Sequence, residues 1–170
     1  MDTEKQNRKS TRMTGFDYSS SRYYFITICT RDHRCLFGSV VSTEENGKMQ
    51  LNRVGDILDK HIRTLDKRYP TVSVHQYVIM PNHLHMILLL DNGTDIPLTQ
   101  IVGLFKSGVS KEIGFSVWQR SFHDHIIRNE TDYKNIWNYI NSNPAKWAMD
   151  KYYQREQESH KPIELSIDFD

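Results

Sequence analysis

Two apolar stretches, Val72–Met80 and His83–Leu90, are separated only by Pro81 and Asn82. Both are predicted to be extended strands, because neither has the spacing of apolar residues that marks a helix. The second stretch reads HLHMILLL and is so apolar that it predicts a central strand. A chain that contains such strands is expected to pack its other elements in layers on their sheet.

The other predicted elements alternate between extended and helical segments. In chain order they are a strand at Arg22–Thr30, a hairpin within Val40–Leu51 that turns at Asn46-Gly47, a helix from Asn52 through Arg68, a helix at Thr99–Ile113, an extended segment at Trp118–Arg128 and a helix at Asp132–Asn143. This order favours an α+β fold over a doubly wound one. We expect a ferredoxin-like or RRM-like antiparallel sheet with helices on one face, followed by a C-terminal helix.

Length and charge predict the domain organisation. The 170 residues fit one domain with tails, and 22 basic against 21 acidic residues give a formal net charge of +1. We expect a basic flexible arm at 1–21, the domain at 22–150 and an acidic polar tail at 151–170. The near-neutral total therefore combines a basic body with an acidic tail, and it neither identifies nor excludes a nucleic-acid partner.

Several classes of protein are disfavoured by what the sequence lacks. It has no run of the roughly eighteen apolar residues that a membrane span needs, and no apolar secretory segment near Met1. Cys29 and Cys35 form no CxxC motif, and no GxGxxG or GxxxxGK[ST] loop is present. We expect a cytoplasmic protein with no membrane partner and no NTP-driven chemistry.

The histidines His83 and His85 are the sharpest chemical feature. On a strand, residues i and i+2 point to the same face about 7 Å apart, so the two imidazoles can reach one metal ion. The alternative is that they are hydrogen-bonded side chains beside the core. His123 and His125 repeat the spacing in more polar surroundings, where His125 is a candidate substrate contact and metal binding is the weaker interpretation.

A second candidate pair is Tyr139 and Asn143, which are i and i+4 on the last predicted helix and therefore share a face. The residues alone allow two interpretations. The pair could take part in chemistry, or Tyr139 could be an interfacial side chain and Asn143 a C-terminal cap before Pro144. The chain has nine tyrosines, so the spacing does not single out this one.

Five segments between Tyr23 and Trp147 carry a resemblance to a known family: YFITICTRD, YVIMPNHLH, FKS, WQRSFHDHIIRN and YINSNP. On these segments the chain resembles the HUH single-tyrosine transposases, and most closely their REP-associated branch. The resemblance implies that His83, His85 and Asn143 bind a divalent metal ion, Mg²⁺ or Mn²⁺. It implies that Tyr139 on a C-terminal catalytic helix is the nucleophile. Insertion-sequence relatives have Gln where this chain has Asn143.

The same resemblance implies metal-dependent cleavage and strand transfer of single-stranded or hairpin DNA through a 5′-phosphotyrosine. Candidate phosphate contacts are Arg12, Arg22, Lys106, Arg120 and Arg128, and Trp118 is expected to be exposed and to stack on bases. A homodimer and a monomer both remain open, as do active sites in cis and in trans. The alternative functions are a domesticated DNA-binding protein without strand-transfer activity and a metal-dependent hydrolase that does not use the tyrosine.

Overall fold

A computed structural model describes residues 22–42, 47–91, 94–150 and 152–153. The strands are β1 (Arg22–Cys29), β2 (Gly38–Ser42), β3 (Gly47–Leu51), β4 (Val72–Met80), β5 (His83–Leu90) and β6 (His123–Ile127). The helices are α1 (Arg53–Arg63), α2 (Leu65–Arg68), α3 (Leu98–Ile113) and α4 (Glu130–Ser142), with short 3₁₀ helices at Arg31–His33 and Pro144–Met149. The predicted basic arm, the tip of the first hairpin and almost all of the predicted acidic tail lie outside the described residues.

Four strands form one antiparallel sheet in the order β4-β5-β1-β6, and β2 and β3 form a separate hairpin. Without the hairpin, the element order is that of a ferredoxin-like fold, in which the first and third strands lie at the centre of the sheet. This confirms the predicted α+β fold. The apolar strand β5 is central, as its sequence predicts.

The two faces of the sheet are covered by different helices. On one face, alternate residues of the central strands, such as Tyr24, Ile26 and Met86, are buried with residues of α1 and α3 in the main core. On the opposite face, Ile87 and Ile127 pack with Ile140 of α4. The last helix, followed by Trp147 and Tyr152, therefore covers the sheet face that carries the odd-numbered residues of β5, including both of its histidines.

A β-bulge in β4 changes which residues face the core. The register with β5 shifts between Val74 and Gln76, so that His75 is the extra residue. Val74 faces the main core before the bulge, and Tyr77 faces it afterwards. The bulge therefore places His75 and Gln76 together on the face that α4 covers.

The first predicted helix is divided in the structure. Asn52 caps α1 by accepting a hydrogen bond from the Gly55 N–H at 2.9 Å, as the sequence predicts. The helix ends at Thr64, whose hydroxyl donates to the Lys60 carbonyl at 2.9 Å, and α2 follows as a single turn. A threonine hydroxyl that bonds back to the preceding turn competes with the helix ladder, which is a physical reason for the break.

The expectation that Trp118 is exposed is wrong. Its side chain is only 5% exposed and lies in the main core, where its ring contacts those of Phe37 and Phe105. Its Nε1 donates to the Lys106 carbonyl at 3.2 Å. The predicted extended segment begins as an isolated bridge between Trp118 and Thr30 and becomes a strand only at β6. Trp118 is therefore a packing residue and is not available to stack on bases.

Candidate active site

His83 and His85 lie on the α4 face of β5, and both are buried. Their ring centroids are 4.6 Å apart, with the ring planes at 71° to each other. The predicted same-face placement is therefore confirmed, and the two imidazoles are close enough to hold one ion between them. They lie at the start of β5, where it pairs with the end of β1.

The imidazole of His83 is in contact with one polar and two aromatic side chains. Its Nδ1 is 2.8 Å from Oδ1 of Asn82, which is itself fully buried. The Tyr152 ring packs 4.7 Å from the His83 ring, and the Trp147 ring lies 5.9 Å away. These contacts hold the imidazole in one orientation before any ligand is bound.

His85 is held between the neighbouring strand and the last helix. Its Nδ1 is 2.8 Å from Oγ1 of Thr27, its cross-strand register partner on β1. Its Nε2 is 3.3 Å from the hydroxyl of Tyr139. The Phe25 ring stacks on the His85 ring at 5.3 Å. This imidazole therefore joins the central strand to the predicted nucleophile.

Tyr139 reaches the sheet because α4 is anchored at its start and through its apolar face. Asn129 caps the helix by accepting from the Asp132 N–H at 2.9 Å, and Ile140 is buried against the sheet. Tyr139 itself is 41% exposed, so its hydroxyl contacts His85 while the side chain stays open to solvent.

The environment of Tyr139 favours the neutral phenol. Burial is the main cause that raises the pKa of Tyr139, and the charge of Asp150 raises it further. A side-chain hydrogen bond with Asn143 acts in the opposite direction and lowers this pKa. The protein alone therefore keeps the hydroxyl protonated at neutral pH, and an added positive charge would favour the phenolate.

Asn143 lies at the C-terminal end of α4 and is only 3% exposed. Its Oδ1 is buried and has no hydrogen-bond partner within the described ranges. A buried amide oxygen without a partner costs free energy, so its presence requires an explanation. The Asn143 side chain is tied to this site through its hydrogen bond with Tyr139. One amide oxygen and two imidazole nitrogens form a donor set that suits Mn²⁺ or Mg²⁺, so these residue types fit a divalent ion.

The described residues contain no second candidate metal site built from the common ligand types. Among the residues that the structure describes, no three His, Cys, Asp or Glu side chains are grouped so as to hold a metal ion. The third protein ligand that the family resemblance implies is an amide oxygen, that of Asn143.

The second histidine pair lies on β6, on the same face but nearer the sheet edge. His125 is exposed, and its Nε2 is 2.9 Å from Oδ2 of Asp132 in the first turn of α4. This hydrogen bond is the main cause that lowers the pKa of Asp132. His123 is the register partner of Thr27, so one strand separates it from His85. The structure does not bring the two histidine pairs together.

The predicted phosphate contacts are spread over the molecule. Arg12 lies outside the described residues. Arg22 and Arg128 are exposed at one end of the sheet, where β1 begins and β6 ends. Arg120 is exposed at the other end, and the Lys106 ammonium group donates to the backbone carbonyls of Gln119 and Arg120 at 2.7 and 3.1 Å. Lys106 thus holds the segment that leads to β6.

Two residues next to the histidines were missed by the sequence interpretation. Thr27 was read only as part of the first strand, and Asn82 only as part of the turn after Pro81. The signal that could have found Asn82 is a short polar side chain directly before a buried histidine, where it can bond to the ring. Thr27 is identified only by the strand register, which the sequence does not supply.

No family model matches the chain. A Haemophilus influenzae protein described only as uncharacterized is 36% identical over an alignment of 173 positions. The alignment covers 86% of this chain and 93% of that protein. A REP-associated tyrosine transposase of Escherichia coli K12 is 32% identical over 81 residues, and the match spans about half of each chain, 47% and 48%.

A solved structure has the same fold. The structure of a REP-associated tyrosine transposase bound to a REP hairpin matches with a TM-score of 0.60 and 25% sequence identity. The match covers 82% of this chain and 74% of that chain.

No helix in the described part of the present chain is both long and apolar enough to cross a bilayer.

Proposed function

We propose that this chain, a relative of the REP-associated tyrosine transposases, cleaves and transfers single-stranded DNA. Tyr139 would be the nucleophile, and the ligands of a divalent metal ion would be His83, His85 and Asn143. The observation that carries this proposal is the 3.3 Å separation between the Tyr139 hydroxyl and Nε2 of His85. A nucleophile so placed can act on a phosphate that is bound at the same imidazoles.

The proposed reaction is the one that the family resemblance implies, with Tyr139 as the attacking residue. Its oxygen attacks phosphorus, the O–P bond forms and the bond from phosphorus to the 3′ oxygen breaks. The tyrosine gives up its proton and the leaving 3′ oxygen takes one, so the products are a 5′-phosphotyrosine and a free 3′ hydroxyl. Because the phosphodiester is exchanged and not hydrolysed, another 3′ hydroxyl can reverse the step and join a new strand.

The proton of Tyr139 is the main obstacle at neutral pH, since burial and Asp150 raise its pKa. A bound Mg²⁺ or Mn²⁺ would supply positive charge that stabilises the phenolate and the phosphoryl oxygens. The protein contributes the orientation of the groups. Thr27 and Asn82 hold the two imidazoles, and α4 holds Tyr139 and Asn143 on one face.

The proposed partner is single-stranded or hairpin DNA, because a related structure contains a REP hairpin. Exposed Arg22, Arg120 and Arg128 are proposed phosphate contacts, together with Arg12. Lys106 is proposed to contribute through the backbone segment that it holds as well as through its charge. The proposed active site is complete within one chain, and a homodimer is not needed to assemble it.

The test is covalent capture of end-labelled hairpin DNA on a denaturing gel, with Mn²⁺ present. Tyr139→Phe should bind the hairpin as the wild type does but form no adduct, because only the attacking oxygen is removed. Tyr133→Phe is the matched control, since it makes the same change six residues earlier on α4 and should keep the adduct. A labelled adduct with Tyr139→Phe would refute the assignment of the nucleophile.

The same gel separates the alternatives. Hairpin binding by the wild type without cleavage, in Mn²⁺ and in Mg²⁺, would contradict strand transfer and support a domesticated DNA-binding protein. Cleavage without a covalent adduct would support the hydrolase. Undiminished cleavage by His83→Ala in metal-free buffer would refute the metal site.

A further inference from the structure

We propose that Asn82 is a positioning residue that fixes the tautomer of His83, so that Nε2 of that ring carries the lone pair for the metal ion. The inference rests on the metal site of the proposed function. Asn82 is fully buried in the turn between β4 and β5, directly before His83. Its role follows from the orientation of its side-chain amide.

Two backbone carbonyls determine that orientation. The Asn82 Nδ2 is 3.1 Å from the carbonyl oxygen of His33 and 3.5 Å from that of Tyr152. A carbonyl oxygen can only accept a hydrogen bond, so the amide NH₂ group must face these two atoms. The amide oxygen must therefore face the other way, toward His83.

The orientation of the Asn82 amide then determines which ring nitrogen of His83 carries the proton. Oδ1 of Asn82 is 2.8 Å from Nδ1 of His83, and an amide oxygen cannot donate. Nδ1 must therefore carry the proton and donate it to Asn82. A neutral imidazole has one N–H, so the lone pair lies on Nε2, which is the atom that can bind a metal ion.

The backbone that presents the His33 carbonyl is itself held in an unusual conformation. Asp32 and His33 have φ angles of 56° and 52°, in the left-handed region that non-glycine residues rarely adopt. The segment is joined to the turn through Thr30, whose N–H and hydroxyl both donate to the Asn82 carbonyl, at 2.9 and 3.0 Å. Such strain persists where surrounding contacts determine the backbone, as they do here.

His85 provides a contrast within the same site. Its Nδ1 contacts the Thr27 hydroxyl, which can either donate or accept, so this contact does not determine the tautomer. The amide of Asn82 has no such freedom because its NH₂ group is already directed at two carbonyls. Of the two histidines, His83 is therefore the one whose tautomer is determined by its hydrogen bond.

The first experiment measures the tautomer directly in the full-length wild-type protein without metal. Long-range ¹H–¹⁵N NMR spectra distinguish an imidazole protonated at Nδ1 from one protonated at Nε2, and His83→Ala identifies the signal. We expect His83 to be protonated at Nδ1. Protonation at Nε2 would refute the inference, and this result needs no activity and no Asn82 variant.

The second experiment measures Mn²⁺ affinity by titration calorimetry. Asn82→Leu removes the acceptor and should weaken Mn²⁺ binding by about 10- to 100-fold, with loss of the Nδ1–H signal. Thr94→Val is the control, because it removes a hydroxyl hydrogen bond from a buried threonine beyond the opposite end of β5, and it should bind Mn²⁺ as the wild type does.

The outcomes separate this inference from the proposed function. Equal weakening by Thr94→Val and Asn82→Leu, or wild-type affinity in Asn82→Leu, would refute the positioning role while the metal site stands. A wild-type protein that binds no Mn²⁺ would refute the metal site and with it the inference. Protonation at Nε2 together with normal Mn²⁺ binding would refute the inference alone.

Discussion

The hydrogen bond between Thr27 and His85 gives a quantitative prediction for Thr27→Val. The Thr27 side chain is 6% exposed, and its Oγ1 is 2.8 Å from Nδ1 of His85. Valine has nearly the same shape and is equally suited to a strand, so the substitution creates almost no cavity. What is lost is the hydrogen-bond partner of a buried ring nitrogen.

The loss of this partner should lower the free energy of unfolding by about 1–3 kcal/mol. For a chain of this size each kcal/mol corresponds to a shift of roughly 2–4 °C, so Tm should fall by about 2–12 °C. The imidazole is then less well oriented, and Mn²⁺ should bind about 10- to 100-fold more weakly. At saturating Mn²⁺ this corresponds to a loss of about 1.4–2.7 kcal/mol from the metal-dependent stabilisation.

Scanning calorimetry with and without Mn²⁺ measures both quantities. The control is Thr27→Ser, which keeps the hydroxyl and loses only a methyl group, so the increase in Tm on adding Mn²⁺ should match that of the wild type. If Thr27→Val shows the same Mn²⁺-dependent increase as Thr27→Ser, the hydroxyl does not position His85 for a metal ion and the reasoning fails.

Three further predictions concern pH and assembly. Burial is the larger cause that raises the pKa of Tyr139, and the Asp150 charge is the second. Asp150→Asn removes that charge, so the rise of the cleavage rate with pH should move to lower pH. An unchanged pH profile would contradict this. Burial, and then the hydrogen bond to Asp59, raises the pKa of Tyr77 from its ordinary 10.0 to about 12. The fold therefore favours the neutral phenol, and this stabilisation is complete below pH 10 and is lost as the pH rises toward 12. Tyr77→Phe should make urea unfolding less sensitive to pH in that window, and an unaltered slope would exclude the effect. Mixing His83→Ala and Tyr139→Phe proteins should restore no DNA cleavage, since the proposed site lies in one chain, whereas recovered cleavage would show a site in trans.

The parts of the fold that could be predicted are those whose sequence pattern depends on burial alone. Strands β4 and β5 have the predicted bounds because their apolar content and the Pro81-Asn82 turn define them locally. The bulge at His75 could not be predicted, because it depends on the pairing of β4 with β5 and not on a local signal. The buried position of Trp118 depends in the same way on packing between distant segments.

The candidate site shows the same division. The spacing of His83 and His85 predicts a shared face of one strand, and the structure places them there. The contact between Tyr139 and His85 joins residues 54 positions apart, so spacing could not supply it, and the family resemblance did. Thr27 is identified only by the strand register, whereas Asn82 directly precedes His83 in the sequence and could have been found from that position.

The bulge in β4 also bears on whether the activity of the protein depends on its concentration. It presents two successive side chains to α4, so that a hydrogen bond joins His75 to Tyr133 at 3.1 Å and Gln76 donates to Asn141 at 2.5 Å. These contacts lie about two helical turns apart and fasten the helix of Tyr139 to the outer strand of its own sheet. An exchange of helices between two chains would have to break both contacts and re-form them with the strand of the other chain. In the proposed site the nucleophile and the metal ligands belong to one chain, so the activity per molecule is expected not to depend on protein concentration.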